Sequence, residues 1–183
     1  MRNKFLIVLF AVSSVLVSCK KEKEETVVED KNVKKFFSVE VEAAASKADN
    51  FAVYFSEDNT VDFKGANAVW SGIKGGNAFE TLNFALSEEK IPTHIRLDFG
   101  MKTDQDSVVV KNIKVGYYGN DYQFKGSDFF QYFIEDKQFN TKIDAAKGTI
   151  TFLKKDGAYK TPYYYPTQAT IDNIKKITTT TKK

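Results

Sequence analysis

The sequence predicts a mainly β protein, an antiparallel β-sandwich of jelly-roll-like architecture with one or two short helices. From residue 36 onward, apolar residues recur with a period of two, which is typical of half-buried strands. The apolar runs are short and nearly evenly spaced, and Gly, Pro, Asn or Asp residues separate them as turns. No glycine-rich phosphate loop lies between a strand and a helix, which argues against a nucleotide-binding α/β fold.

The first two apolar runs, "FFSVEVEAA" and "NFAVYFS", predict strands with one face in the core. Their predicted core-facing residues are Phe37, Val39, Val41, Ala43, Phe51, Val53 and Phe55. The segments "EDNT" and "KGAN" predict turns around Val61 to Phe63. Further strands are expected in "AVWSG", "FETLNFAL", "THIRLDFG", "SVVVKNIKVGYYG" and "GTITFLKKDG".

Helical spacing is confined to two segments. The aromatic residues of "GSDFFQYFIEDKQF" fit one helical turn, which we favour, although an aromatic strand fits them as well. In "TQATIDNIKKI" the three isoleucines 171, 174 and 177 predict a short terminal helix. The segment "YKTPYYYPT" between them is expected to be extended, because Pro162 and Pro166 disfavour helix before them.

The amino terminus has the layout of a secretory signal peptide over residues 1–18. Arg2 and Lys4 give a positive end, and an apolar stretch follows from Phe5 to Val17. That stretch is too short to span a hydrocarbon core, which needs about 20 apolar residues. A short membrane helix is the alternative, and the charged run of residues 20–25 argues against it.

The four residues Leu16-Val17-Ser18-Cys19 resemble the lipobox of bacterial lipoproteins. The resemblance implies that the Cys19 thiol receives a diacylglycerol, that the chain is cut before it, and that its new amine is acylated. Several acyl chains hold a protein on a membrane far more firmly than one. We therefore expect a lipid-anchored protein of the cell envelope, with the outer membrane favoured over the inner.

Removal of the signal segment lowers the formal charge of +3 by two, to about +1. Lys and Glu are interleaved, so no phosphate-binding stripe is evident and no nucleic-acid partner is predicted. The charged residues 19–35 predict a flexible tether, because they bury too little apolar surface to offset ordering. Residues 36–177 form the predicted sandwich domain, and "TTTTKK" at 178–183 a disordered tail.

A second resemblance concerns the folded part. The order of "FETLNFAL", "IPTHIRLDFG" and "DSVVVKNIKVGYY" resembles the late strands of galactose-binding-like and carbohydrate-binding jelly-roll modules. It covers roughly half of the chain that follows the signal segment. The resemblance implies a sandwich that binds glycans without cleaving them.

The candidate ligand-binding residues are Trp70, His94, Arg96 and Asp98. The last three alternate along one predicted strand, so they share its outer face and can hydrogen-bond sugar hydroxyls. The favoured alternative is a solvated outer face that carries an Arg–Asp pair satisfied within itself. Trp70 offers an indole on which a sugar ring can stack. The favoured alternative is that Trp70 fills the core between the two sheets.

No catalytic residues, metal ligands or cofactors are predicted. His94 is the single histidine, and no G-x-S-x-G nucleophile motif occurs. Acid pairs such as Glu40 with Glu42, or Asp104 with Asp106, are expected on wet faces or in turns. The turns at 56–60 and 102–106 carry oxygen ligands suited to calcium but match no ligand loop. The tyrosines at 163–165 fit either a binding surface or an edge strand.

The sequence as a whole favours an envelope lipoprotein whose non-catalytic domain binds a glycan or a cell-surface polymer. A structural or assembly component of an envelope protein complex is the alternative. A hydrolase that relies on carboxylates alone is the least favoured class.

Overall fold

The computed structural model describes residues 34–136, 141–153 and 162–180. Strands make up 48% of these residues, and the two helices are short. The predicted mainly β class is therefore confirmed. In chain order the strands are β1 (Ser38–Ala45), β2 (Asp49–Ser56), β3 (Ala68–Ile73), β4 (Glu80–Ala85), β5 (His94–Asp98), β6 (Ser107–Tyr117), β7 (Asn120–Lys125), β8 (Phe133–Glu135), β9 (Thr141–Asp144), β10 (Thr149–Phe152) and β11 (Tyr163–Pro166). The helices are α1 (Phe129–Tyr132) and α2 (Gln168–Thr179).

The strands form two antiparallel sheets with the core between them. The six-stranded sheet has the order β4-β1-β6-β10-β9, with β7 also paired to β6. The five-stranded sheet has the order β3-β2-β5-β11-β8. Successive strands β1 and β2, β3 and β4, and β5 and β6 lie in different sheets, so each pair spans both layers. The predicted antiparallel β-sandwich is confirmed.

The core consists of the inward-facing residues of the two sheets. All seven residues predicted to face it from β1 and β2 are at most 6% exposed. Ile95 and Leu97 of β5, with the adjacent Phe99, are buried in the same cluster. Burial of one such side chain contributes about 1.5–3 kcal/mol, so the alternation determines which face of each strand turns inward.

Strand β6 contains a bulge at Lys111, where its register with β1 shifts by one residue. On its other edge, β6 pairs with β7 on the carboxyl-terminal side of the bulge and with β10 on the amino-terminal side. The N–H of Val110 beside the bulge donates to the carbonyl of Gly148 at 2.9 Å. The bulge therefore lets one long strand serve two shorter partners.

Both predicted helices are present. Helix α1 is the expected single turn, and a 3₁₀ turn at Gly126–Asp128 leads into it. Helix α2 contacts β6 and β7 of one sheet and β5 and β11 of the other, with Ile174 and Ile177 buried. The helix ends at Thr179, two residues beyond the predicted domain limit of 177. Positions 181–183 of the predicted tail lie outside the described residues.

The predicted signal peptide, Cys19 and all of the predicted tether except Lys34 and Lys35 lie outside the described residues. Lys34 forms an ion pair with Glu40 of β1 at 2.5 Å. None of the helices in the described ranges is long and apolar enough to cross a membrane.

Strand β11 carries the tyrosine run and lies inside its sheet, between β5 and β8. The edge position suggested by the sequence is therefore wrong, because β8 pairs with the side of β11 that would have been free. The alternation of the run is as expected. Tyr164 is buried in the core, and Tyr163 and Tyr165 are half-buried on the opposite face.

Candidate functional site

The outer face of the five-stranded sheet brings most of the candidate residues together. Tyr54 of β2 pairs in register with Arg96 of β5, and Ala52 pairs with both Trp70 of β3 and Asp98 of β5. Asp98 in turn pairs with Tyr163 of β11. Side chains of directly opposed residues share one face of a sheet. We call this set the aromatic face; it comprises Tyr54, Trp70, Arg96, Asp98, Tyr163 and Tyr165.

Arg96 and Asp98 form the polar centre of the aromatic face. The Nε and Nη2 atoms of Arg96 donate to the two carboxylate oxygens of Asp98, each at 2.8 Å. Their side chains are 14% and 10% exposed, respectively. The expected pair that satisfies itself is therefore present, but the expected solvated surface is wrong because neighbouring rings cover it.

Aromatic rings enclose the guanidinium of Arg96. Its Cζ atom lies 4.2 Å from the ring centroid of Tyr54 and 4.3 Å from that of Tyr163. The ring of Phe63, from the loop between β2 and β3, lies at 5.6 Å. A cation over an aromatic face is attracted by about 0.5–2 kcal/mol, more when water is excluded. These contacts hold Arg96 in one position across three strands.

Burial and pairing oppose each other in the ionisation of this pair. Burial raises the pKa of the Asp98 carboxyl above its ordinary value, and the hydrogen bonds and charge of Arg96 offset part of the rise. For Arg96, burial acts to lower the pKa, but the bonds and charge of Asp98, together with smaller effects of Tyr165 and Tyr54, outweigh it, so the pKa lies above its ordinary value. The pair as a unit carries no net charge when both groups are ionised.

Trp70 lies at one end of the aromatic face with 45% of its surface exposed. Its indole meets the ring of Tyr54 edge-on, with the centroids 6.1 Å apart. The favoured interpretation of Trp70 as a core residue is therefore wrong. Its neighbours on the same face of β3, Ala68 and Gly72, are too small to cover it.

His94 lies on the same face of β5 but in separate surroundings. Only 8% of its surface is exposed. Its Nδ1 atom is 3.0 Å from Thr93 Oγ1, and its partner across the strands is Ser56. Burial lowers the pKa of His94 below its ordinary value, with a smaller opposing effect from Asp58. His94 therefore supports the end of the sheet and does not join the Arg96–Asp98 pair.

Most of the remaining acidic candidates make ion pairs or hydrogen bonds with other side chains. Glu42 pairs with Lys111 at 2.6 Å, and Asp104 pairs with Lys47 at 3.1 Å. In the turn at 56–60, Asp58 accepts a hydrogen bond from Thr60 at 2.7 Å. Within the described ranges, no group of three or more His, Cys, Asp or Glu residues is placed to hold a metal ion.

Two residues that shape the site, Tyr54 within the aromatic face and Phe63 beside it, were not predicted from the sequence. In "NFAVYFS", Tyr54 alternates with the core residues Val53 and Phe55, so its side chain points to the opposite face of the strand. This alternation was the signal that could have identified an outward-facing aromatic residue. Phe63 lies in a polar turn, where no local pattern indicates that its ring lies against Arg96 and Tyr165. Cys19 lies outside the described residues.

No protein-family model, curated protein or solved structure matches this chain.

Proposed function

We propose that this protein is an envelope protein whose sandwich domain binds a glycan or cell-surface polymer on the aromatic face, without cleaving it. The observation that carries the proposal is the exposed indole of Trp70, which lies on a sheet face beside Tyr54. An indole combines a large apolar area with a polar N–H, so it can stack on the apolar face of a sugar ring. A tryptophan that only filled space would be buried.

The charge of the aromatic face favours a neutral ligand. Arg96 and Asp98 neutralise each other, so the centre of the face attracts neither anions nor cations strongly. The Asp98 carboxylate is engaged through both oxygens, which suits it poorly to general acid–base catalysis. Both groups still have donor or acceptor capacity for the hydroxyls of a sugar.

Anchoring in the envelope is the second part of the proposal and rests on the lipobox resemblance. Lipid on Cys19 and a charged tether up to residue 35 would hold the sandwich beside the membrane, with the outer membrane favoured. Labelling cells with radioactive palmitate tests this part. The wild-type protein should incorporate label, and Cys19→Ala should not. Equal incorporation in both proteins would refute lipidation at this residue.

A polysaccharide array tests glycan binding. The soluble domain should bind at least one of the plant, host or microbial polysaccharides, and Trp70→Ala should weaken that binding at least tenfold. Phe79→Ala is the matched control, because Phe79 is 49% exposed but lies against Lys111 of the other sheet. Equal losses in both variants would argue against the aromatic face, and a blank array would argue against glycan binding.

Assembly with an envelope protein is the second candidate function. Ile134 of β8, 57% exposed, pairs in register with Tyr165, so apolar side chains are exposed at both ends of this sheet face. Such a distribution also suits a protein partner. Cross-linking in intact cells followed by mass spectrometry would identify a reproducible partner if this second function is the correct one.

A further inference from the structure

The loop of residues 57–67 connects β2 to β3 and reaches across the aromatic face. Its residues 57–62 and 64–66 are exposed, and Phe63 between them is half-buried. The Phe63 ring lies 5.6 Å from Arg96 Cζ and 5.9 Å from the ring of Tyr165. Phe63 is therefore the aromatic side chain of the loop that contacts the face.

Hydrogen bonds hold the loop at its ends. Thr60 O accepts from Ser56 Oγ at 2.5 Å, and Asn59 N donates to Thr93 Oγ1 at 3.1 Å. At the other end, Phe55 N donates to Asn67 O at 3.0 Å.

Between these ends the loop is bonded only to itself. Within the described part of the chain, residues 61–66 make hydrogen bonds only inside the loop, such as Asn67 N to Lys64 O at 3.0 Å. Segments with few buried contacts and no bonds to their surroundings open at low free energy. Departure of the Phe63 ring would therefore break no hydrogen bond between the middle of the loop and the sheet.

The position of Phe63 divides the aromatic face into two halves. Trp70 lies at the open half, and Tyr54 lies between the halves because its ring contacts both the indole and the guanidinium. Arg96 and Tyr165 lie at the covered half, where the Phe63 ring contacts both of them. Of the three rings around the guanidinium, those of Tyr54 and Tyr163 belong to strands, and only that of Phe63 belongs to a loop. Phe63 is therefore the ring that can move aside for a ligand on the indole without disturbing the sheet.

We propose that Phe63 is a gate that restricts access of the ligand to Arg96 and Asp98. This inference rests on the proposed glycan-binding function and adds the residue that controls it. The closed loop competes with the ligand, so the apparent affinity is the intrinsic affinity reduced by the fraction of open molecules. Removal of the ring should therefore tighten binding, whereas removal of a stacking residue weakens it.

The opening of the gate can be measured without a ligand. The chain has two arginines, Arg2 and Arg96, so a domain without the signal segment gives one Arg Nε–H signal by NMR. In the wild type, low concentrations of urea should not change the rate at which this proton exchanges with solvent, because local opening exposes little new surface. Phe63→Ala should speed this exchange at least tenfold. Val61→Ala, from the same loop and 54% exposed in the wild type, should not.

Titration calorimetry with cello-, xylo-, manno- and malto-hexaose measures the effect on binding. Phe63→Ala should bind at least threefold more tightly than the wild type, with Val61→Ala unchanged. Equal or weaker binding by Phe63→Ala would overturn the gate and make Phe63 a stacking or packing residue. If no hexaose binds any variant, the proposal of glycan binding fails for these sugars. The exchange rates of the Arg96 Nε–H proton then test by themselves whether Phe63 acts as a gate. If the Arg96 Nε–H proton exchanged only through global unfolding, the proposal that Phe63 is a gate would be overturned.

Discussion

Asp98 binds the guanidinium of Arg96, two residues earlier on β5, through two hydrogen bonds of 2.8 Å. Residues i and i+2 of a strand share a face, so this pair follows directly from the alternation of "HIRLD". Both groups have lost most of their water, and each compensates the charge of the other. Loss of one partner from such a pair is more harmful than loss of both.

We predict that Asp98→Ala lowers the free energy of unfolding by about 3 kcal/mol, because it leaves a largely buried guanidinium without its carboxylate. The double variant Arg96→Met, Asp98→Leu should lose less, since apolar side chains suit the surrounding rings of Tyr54 and Tyr163. Urea unfolding followed by circular dichroism measures both. A double variant less stable than Asp98→Ala would contradict this account.

A second prediction concerns pH and the single histidine. Burial lowers the folded-state pKa of His94, so below about pH 6.5 the unfolded chain binds a proton that the folded protein does not. The free energy of unfolding should therefore decrease as the pH falls from about 6.5 to the folded-state pKa. Above pH 6.5 this group contributes no pH dependence.

NMR and unfolding experiments measure the two sides of this linkage. The one histidine Hε1 signal should titrate below pH 6.5 in the folded protein. The decrease in stability over the same interval should be smaller in His94→Gln. A folded-state pKa at or above the ordinary value, or an unchanged slope in the variant, would refute the prediction.

The strands were predictable because their signal is local. A period of two identifies the inner face of β1, β2 and β5 without knowledge of any neighbour. The same rule fails on β3, "AVWSGI", because one face has Val69, Ser71 and Ile73 and the other has Trp70 between small residues. Neither face is clearly the apolar one, so the exposure of Trp70 depends on pairing that the local sequence does not specify.

Long-range position explains the other differences. The run "YYYP" has the alternation of a strand, but its place between β5 and β8 depends on partners far away in sequence. Phe63 joins the site because its loop folds across β2 toward β5, a path that a polar turn sequence leaves open. The sequence therefore predicted which residues of one strand share a face, but it did not predict which strands are neighbours or which side chains meet between them.

A third prediction concerns Asp49, a buried carboxylate that links the start of β2 to the segment after β5. It accepts hydrogen bonds from the backbone N–H groups of Asn50 at 2.8 Å, Met101 at 2.8 Å and Lys102 at 3.2 Å. Asp49→Ala leaves these donors without an acceptor and should cost about 3 kcal/mol of stability. The amides of Met101 and Lys102 should lose protection from hydrogen exchange.

Two variants give the controls for Asp49. Asp49→Asn keeps one carbonyl oxygen and should be intermediate in stability. Asp104→Asn removes an exposed ion pair with Lys47 and should change stability by less than about 1 kcal/mol. If Asp49→Ala were no less stable than Asp104→Asn, the carboxylate would have no structural role.

The last prediction tests the packing at the β6 bulge. A Cβ atom at Gly126 would lie 1.7 Å from the carbonyl oxygen of Val110, which is backbone and cannot move without shifting the strand. Gly126→Ala should therefore fold poorly or lose more than about 3 kcal/mol. Gly65→Ala is the matched control, because a Cβ at Gly65 meets no atom within 4 Å. Thermal unfolding should place the control within a few degrees of the wild type, and similar unfolding temperatures for the two variants would show that the glycine does not hold the bulge.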